Sequence, residues 1–301
     1  MRESKNLKYW MLWAIHTMWW GDLGESNEIV RAQYGGDAKK AWNDAVCGKI
    51  TPKWLDGGHK PLDEAYCEFQ YLKNAEKSGI HFLVPDMEEW PTKLGILKDK
   101  EPLFLWYRGN AELLKSPTKL AIVGSRNASK EALLLTKKAA EVMDKNRVTV
   151  VSGGAVGIDA AGMSMGGIGV YPHGIEKYYP PSDKPIFDRF VNEGDCLALS
   201  EYPPGGQPQR SYFTARNRII VALSNAVYFT QAKERSGTQN AVNTALSLGI
   251  PVYTPNVLGN DLGYKLVHQR KVGLASEPER VVGLIQDQKK NTHVQLSMNF
   301  V

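Results

Sequence analysis

The pattern of hydrophobic and polar positions changes near residue 118. Before that point, apolar side chains recur three or four residues apart, as they do on one face of an α-helix. After it, short apolar runs rich in β-branched residues alternate with amphipathic segments. This alternation predicts strands joined by helices. The predicted strands of this part are Leu120–Val123, Val148–Ser152, Ile168–Tyr171, Cys196–Glu201, Ala226–Thr230 and Pro251–Tyr253.

These strands show little polar alternation, which is typical of parallel strands covered on both faces. The segments Ser129–Lys145 and Thr238–Leu248 have the spacing of helices that pack on such a sheet. The sequence therefore predicts an α/β fold with a doubly wound, mostly parallel sheet. We expect a small helical N-terminal domain over residues 1–78, the main domain over 79–288, and a polar tail over 289–301.

All eight tryptophans lie before residue 107. Trp10, Trp13 and Trp20 recur at helical spacing, which favours packing inside the small helical domain over stacking on nucleobases. Base stacking remains an alternative for these side chains.

Composition narrows the class of protein. The 301 residues carry a formal net charge of +5, which permits nucleic-acid binding, and no long Lys/Arg run is present. The three cysteines, Cys47, Cys67 and Cys196, are far apart, so we expect reduced and mostly buried thiols and neither zinc nor disulfides. The apolar patch near the N-terminus is too short and too interrupted to span a membrane. We therefore expect a cytoplasmic protein that does not bind membranes.

Two predicted strands run into glycine-rich turns that open helices. The first turn is Gly124-Ser125-Arg126, and the second is Ser152-Gly153-Gly154. Glycine lets the backbone approach an anion, and the N–H groups and dipole of a helix start attract one. Phosphate binding is favoured here over tight-turn packing alone, because glycine, serine and arginine coincide at strand ends.

Neither turn has the full GxGxxG spacing of a dinucleotide site, and no GxxxxGK[ST] run of a nucleoside triphosphatase occurs. No His, Asp and Glu cluster has metal-ligand spacing. We therefore expect no cofactor, no metal ion and no catalytic residue.

A second group of candidates begins with Arg216, Asn217 and Arg218, which open a predicted helix. Cations oppose the dipole at a helix start, and a bound anion would relieve this. A salt bridge to Glu201 explains the arginines equally well, and both interpretations stay open.

Three further segments are weaker candidates. Ser236-Gly237-Thr238 opens the next helix and offers another set of backbone N–H groups, although capping alone explains it. Lys184 is a candidate phosphate ligand or a solvated surface residue. Asp159 and Glu201 are interpreted as a helix-start charge and an arginine partner, respectively, and not as a catalytic pair.

The ordered set of motifs resembles the DprA/Smf family, the DNA-processing protein A proteins. The motifs are VGSR, VSGGAVGID, SEYPPG, F-x-x-RNRII and SGT, and the resemblance covers residues 80–285. It implies an extended Rossmann-like domain that binds single-stranded DNA and delivers it to a RecA-like recombinase. The implied phosphate ligands are Gly124, Ser125, Arg126, Ser152, Gly153, Gly154, Lys184, Arg216 and Arg218. The chain departs from the family pattern at Gly162-Met163, where Ala-His is usual, and by the absence of a C-terminal winged helix.

Two hypotheses follow for function. The first is a non-catalytic protein that binds single-stranded DNA for recombination or transformation, with a homodimer implied by the resemblance. The alternative is a nucleotide sensor or a nucleoside-monophosphate phosphoribohydrolase, but Gln239 and Asn240 follow the SGT motif where that enzyme needs a glutamate. We further expect Arg126 and Arg216 to face a cleft, and the dimer surface to lie around Ile219–Ala226 and the last strand.

Overall fold

The computed structural model describes residues 6–19, 23–58, 72–176 and 194–287. Nine strands form one sheet, which confirms the predicted α/β fold class. The strands are β1 His81–Leu83, β2 Leu105–Gly109, β3 Lys119–Ile122, β4 Thr149–Ser152, β5 Gly167–Tyr171, β6 Cys196–Ser200, β7 Ala226–Tyr228, β8 Val252–Thr254 and β9 Gly273–Leu274.

The strand order is β1-β2-β6-β5-β4-β3-β7-β8-β9. Strand β2 pairs antiparallel with both β1 and β6, and all other neighbours are parallel. In the centre, Leu120 of β3 lies between Val150 of β4 and Ala226 of β7. The carboxyl ends of β3 to β9 therefore share one edge of the sheet, where ligands of such folds bind.

Helices connect the strands and cover both faces of the sheet. The α-helices are α1 Leu7–Trp19, α2 Leu23–Asn27, α3 Ala38–Val46, α4 Lys53–Asp56, α5 Leu72–Lys77, α6 Lys130–Lys145, α7 Ile158–Gly162, α8 Arg210–Ala215, α9 Asn217–Leu223, α10 Gly237–Ser247, α11 Asp261–His268 and α12 over residues 278–287. A π-helical turn spans Glu28–Gln33, and 3₁₀ turns span Thr92–Lys100 and Ala111–Lys115. The Ser129 hydroxyl accepts a hydrogen bond from Ala132 N at 3.2 Å and so caps the start of α6.

Two hydrophobic cores lie on opposite faces of the sheet. Leu120 and Ile122 of β3 belong to the core beneath α6, whereas Ala121 belongs to the core beneath α9 and α10. Successive strand residues point to opposite faces, so both faces are covered as predicted. The segment Ile219–Leu223 is at most 2% exposed in the second core. The prediction of a dimer surface around Ile219–Ala226 is therefore wrong, because its dense apolar residues form the inner face of α9.

The tryptophans of the N-terminal helices pack against one another. Trp13 and Trp54 are fully buried, and the rings of Trp42 and Trp54 stack with centroids 5.4 Å apart. Trp13 Nε1 donates a hydrogen bond to Ala38 O at 3.1 Å. Core packing is thus confirmed for these side chains, while Trp20 lies outside the described residues.

Three other expectations concern the described part of the chain. Cys196 is buried and Cys47 is exposed, so the expectation of mostly buried thiols is wrong for Cys47. Within the described ranges, no helix is both long and apolar enough to cross a membrane. The same ranges contain no group of three or more His, Cys, Asp or Glu side chains placed to hold a metal ion.

Candidate nucleic-acid interface

The two glycine-rich turns lie against each other at the carboxyl edge of the sheet. The carbonyl oxygen of Ser125 accepts a hydrogen bond from Ile158 N at 3.1 Å. Gly157 has a φ of 89°, and a Cβ atom there would lie 2.3 Å from Ser125 O. A Cβ atom at Gly124 would lie 2.6 Å from the Ile158 side chain. Glycine is therefore required at both positions for the turns to pack together.

The carboxylate of Asp159 occupies the space between these turns. Asp159 lies in the first turn of α7 and is buried. Its Oδ1 accepts a hydrogen bond from Gly124 N at 3.2 Å, and the N–H groups of Gly153 and Ala155 also favour its charged form. Burial raises the pKa of Asp159, while the charge of Arg216 and the three N–H groups act in the opposite direction. The predicted role of Asp159 as the charge at a helix start is confirmed.

This arrangement changes the interpretation of the predicted anion site. The backbone N–H group of Gly124, which was a candidate for phosphate, already donates to a carboxylate of the same chain. Ser125 N likewise donates to Gln231 O at 2.9 Å. The turns therefore form an anion site that the protein fills with its own side chain.

Arg216 lies beneath the turns and not in an open cleft. Only 5% of the residue is exposed, and its Nη1 donates to Gly153 O at 2.6 Å and to Val170 O. A Cβ atom at Gly153 would lie 2.2 Å from Arg216 Nη2. Burial lowers the pKa of Arg216, and the charge of Asp159 opposes this shift. The expectation that Arg216 faces a cleft is wrong, because its guanidinium holds the β4 turn to β5.

Arg218 forms a bidentate ion pair with Glu201 at the end of β6. The two nitrogen–oxygen distances are 2.5 and 2.6 Å, and the Glu201 side chain is 1% exposed. Arg218 also donates to the carbonyl oxygens of Lys100 and Ala215. Burial lowers the pKa of Arg218, but the charge of Glu201 and its hydrogen bonds to Arg218 together raise the pKa overall. For Arg218, the salt-bridge interpretation is confirmed.

Three other candidates have hydrogen-bond partners within the protein. Ser152 is fully buried and its hydroxyl donates to Ile122 O at 2.7 Å. Asn217 is buried and donates to Gly237 O at 3.2 Å, which ties α9 to the start of α10. Ser236 caps α10 through a 3.3 Å hydrogen bond from Gln239 N, and Thr238 is buried behind it. Gly154 is also buried, and Lys184 lies outside the described residues.

Arg126 is the exposed arginine of the predicted site. Its guanidinium carbon lies 5.1 Å from the centre of the Phe213 ring, within the range of a cation–π contact. Phe213 is half-buried on α8, and Arg210 is exposed three residues earlier on the same helix. Phe213 is absent from the predicted site, although it begins the F-x-x-RNRII motif.

Further exposed basic residues follow β7. Lys233 and Arg235 lie in the segment that leads into α10, and α8 packs against α10. We call the exposed or half-exposed residues Ser125, Arg126, Arg210, Phe213, Lys233, Arg235 and Gly237 the strand-end surface. It combines positive charge, an aromatic ring and backbone groups at the carboxyl edge of the sheet.

The fold and this surface define the class of protein. It is a doubly wound α/β protein with a basic and aromatic rim at the carboxyl ends of its parallel strands. The family model for DNA recombination-mediator protein A matches residues 81–275. The chain therefore belongs to this family, as the ordered motifs predicted.

Known relatives agree with this assignment. The DNA processing protein DprA of Streptococcus pneumoniae is 40% identical over 158 residues, which cover 50% of this chain and 55% of the relative. The X-ray structure of DprA from Streptococcus pneumoniae superimposes with a TM-score of 0.73 at 27% identity, over 94% of this chain and 98% of that one. The chain spans about half the length of most curated relatives it matches.

A structure of DNA processing protein A from Helicobacter pylori also matches. It has a TM-score of 0.63 at 26% identity, over 70% of this chain and 98% of that chain. That structure was described for its mode of binding single-stranded DNA.

Proposed function

We propose that this protein binds single-stranded DNA through the strand-end surface, with Arg126 as its central phosphate ligand. The observation that carries the proposal is the exposed Arg126 guanidinium held against Phe213. The cation–π contact holds the arginine at the edge of the sheet, and its N–H groups stay accessible to a bound phosphate. The description of the Helicobacter pylori relative as a single-stranded DNA-binding protein supports the same proposal.

The composition of the surface favours single strands. Aromatic rings stack on unpaired bases, and arginine and lysine bind the phosphates without reading sequence. Phe213 supplies the ring, and Arg126, Arg210, Lys233 and Arg235 supply the charge. The binding is therefore expected to fall with salt and to show little sequence preference.

The direct test is fluorescence anisotropy with labelled oligonucleotides. We expect tighter binding to single strands than to blunt duplex, and a strong loss of binding in Arg126→Glu. The matched control is Arg147→Glu, because Arg147 is also exposed but precedes β4 at the opposite edge of the sheet. Equal loss in both variants, or equal affinity for duplex, would contradict the proposal.

The proposal includes a non-catalytic role in the cytoplasm. Asp159 and Glu201 are the two carboxylates that the sequence offered as a catalytic pair, and both are buried and bound to groups of the protein. Neither carboxylate is placed as a base for an attacking water molecule. Incubation with AMP, ATP and single-stranded DNA, with and without Mg²⁺, is expected to give no product. Turnover that disappears in Glu201→Gln or Asp159→Asn would favour the alternative of a nucleotide-processing enzyme.

The proposal also includes a homodimer and delivery of DNA to a RecA-like recombinase. Exposed apolar side chains line a groove beside the last strand, namely Leu258, Tyr264 and Leu274, which are 87%, 68% and 45% exposed. A second copy of the chain would cover them. Light scattering at tens of micromolar (roughly the range in which a weak interface of usual size associates) is expected to show a dimer, and Leu258→Glu a monomer. A monomeric wild-type protein at this concentration would contradict the proposed homodimer.

A further inference from the structure

The N-terminal helices contact the main domain at residues 100–102. This segment ends the 3₁₀ turn Thr92–Lys100 and leads towards β2. The π-helical turn Glu28–Gln33 and helix α9 both pack against the same 3₁₀ turn. The segment therefore touches the N-terminal helices as well as the helix that directly follows α8.

Arg31 of the π-helical turn binds this segment through two nitrogens of its guanidinium group. Its Nη1 donates to Glu101 Oε2 at 2.9 Å, and its Nη2 donates to Pro102 O. The side chains of Arg31 and Glu101 are only 12% and 14% exposed. Trp90 Nε1 donates to the other Glu101 oxygen at 2.8 Å. Because both of its carboxylate oxygens have partners, Glu101 fixes the segment against the N-terminal helices.

Arg218, at the start of α9, binds the same segment and the end of α8. Its Nε donates to Lys100 O at 2.8 Å, and its Nη1 donates at 2.9 Å to the carbonyl oxygen of Ala215, the last residue of α8. The ion pair with Glu201 ties the same guanidinium group to the end of β6. One side chain therefore fixes the end of α8 relative to residues 100–102.

The two arginines and the two glutamates form one electrostatic cluster. Burial lowers the pKa of Arg31, and the charges of Glu101 and Glu201 oppose this shift. The charge of Arg218 lowers the same pKa further. Arg31 thus interacts with both members of the ion pair that holds α8, and a change at one end of the cluster affects the other.

Helix α8 carries two residues of the strand-end surface, Arg210 and Phe213. It has only six residues, so its position depends on its contacts with the rest of the protein. Apart from the contact at its last residue, the ring of Tyr212 stacks on that of Tyr202 with centroids 3.9 Å apart. Contacts on the side of β6 and residues 100–102 therefore determine where Phe213 lies.

We propose that the N-terminal helical domain positions the strand-end surface for DNA through Arg31, Glu101 and Arg218. Arg31 and Glu101 hold residues 100–102, this segment holds Arg218, and Arg218 holds the end of α8. The three side chains act on DNA through α8 and do not bind it themselves. The inference rests on the proposed DNA binding at the strand-end surface, and it gives the N-terminal helices a part in that binding.

Glu101→Gln is the sharpest test, because charge and position predict opposite results. The variant removes one negative charge, which by itself would strengthen binding to a polyanion. Loss of the ion pair with Arg31 should instead weaken single-stranded DNA binding in the anisotropy assay about fivefold. The matched control is Asp44→Asn, because Asp44 pairs with Lys49 inside the N-terminal domain and its side chain is 16% exposed. It removes the same charge and should not weaken binding.

Two variants that conserve charge keep the test decisive if Glu101→Gln does not fold. Lysine lacks the rigid fork of arginine and cannot bind the same set of partners at once. Arg31→Lys and Arg218→Lys should therefore each weaken DNA binding, although the net charge is unchanged. Arg147→Lys, at an exposed arginine of the opposite edge, is their control and should bind as the wild type does.

The route through α8 is tested in the double variant Arg210→Gln Phe213→Ala, in which this helix no longer supplies a ligand. In that background, Glu101→Gln and Arg218→Lys should cause no further loss of DNA affinity. A residue that bound phosphate itself would still lower the affinity there. The double-variant comparison therefore separates positioning residues from phosphate ligands.

Fluorine NMR of protein labelled with para-fluorophenylalanine reports the position of Phe213 in the absence of DNA. The Phe213 resonance is assigned by its loss in Phe213→Leu. It should shift in Glu101→Gln and Arg218→Lys and should stay in place in Asp44→Asn. This result does not depend on DNA binding. A wild-type protein that bound no single-stranded DNA would contradict the proposed function, whereas the NMR spectra would still decide whether the N-terminal domain positions α8.

Three results would overturn the inference. The first is DNA binding that is unchanged or tighter in both Glu101→Gln and Arg31→Lys. The second is an equal loss of affinity for these variants with and without the Arg210→Gln Phe213→Ala background. The third is a Phe213 resonance that does not move in any of the variants, since α8 would then be placed independently of the N-terminal helices.

Discussion

Arg126 and Arg216 belong to neighbouring parts of one site but have opposite surroundings. Arg126 is exposed and contacts a half-buried aromatic ring, whereas Arg216 is 5% exposed and bonds to two backbone carbonyl groups. The negative charge near Arg216 is Asp159, a residue of the protein itself. The comparison indicates that one arginine of the motif set maintains the turns and the other is available to a ligand.

The largest expected effect is a loss of stability when the buried Arg216 is replaced. Arg216→Ala would leave Gly153 O and Val170 O without their donor and the buried charge of Asp159 without its nearest cation. Breaking a buried charged contact of this kind destabilises a protein by about 3 kcal/mol or more. Urea denaturation measures the free energy of unfolding. A loss below about 0.5 kcal/mol would show that Arg216 has no structural role.

The second largest expected effect is a loss of DNA binding when the exposed Arg126 is replaced. Arg126→Gln should weaken single-stranded DNA binding about tenfold and lower the slope of log affinity against log salt by about 0.7, because one phosphate contact is lost. The free energy of unfolding should stay within about 0.5 kcal/mol of the wild type, as expected for an exposed side chain. A changed affinity with an unchanged salt slope would indicate that Arg126 does not bind phosphate.

Variants of Phe213 distinguish two roles of its ring, which are stacking on a base and positioning Arg126. If a base stacks on it, Phe213→Ala should weaken DNA binding by about 1–2 kcal/mol with little change in the salt slope, because the loss is not ionic. Phe213→Tyr keeps the ring and should retain the affinity. If the ring only positions Arg126, then Phe213→Ala in the Arg126→Gln background should have no further effect on DNA binding.

The sequence predicted the fold better than it predicted the roles of individual site residues. Alternating apolar runs and amphipathic segments report burial directly, so the central strands and the start of α6 could be located within a few residues. The apolar run at Ile219–Leu223 reported burial too, but it was interpreted as a dimer surface. Local density of apolar residues does not distinguish a core helix from an interface.

The partners of the charged residues could not be predicted, because they lie far apart in sequence. Arg218 meets Glu201 across 17 positions, and Asp159 meets Gly124 across 35. Arg216 and Arg218 are two residues apart near the start of α9, so their side chains diverge to different partners. Only the packing of the two turns shows that Asp159 fills the predicted anion site.

The smallest expected effect concerns Ser236, where capping and phosphate binding make different predictions. Its hydroxyl accepts from Gln239 N and donates to Lys233 O, which accounts for it as the cap of α10. Ser236→Ala should therefore lower the free energy of unfolding by about 1 kcal/mol, the usual cost of a lost N-cap. DNA affinity should be unchanged, because the phosphate ligands of the strand-end surface remain.

The control is Ser236→Asp, which keeps an acceptor for the cap but adds a negative charge beside the strand-end surface. It should retain stability and weaken DNA binding by repulsion. If Ser236→Ala instead reduced DNA affinity and left stability unchanged, Ser236 would be a phosphate ligand. It would then belong with Arg126 among the residues available to a ligand, and not with Arg216 among those that maintain the turns.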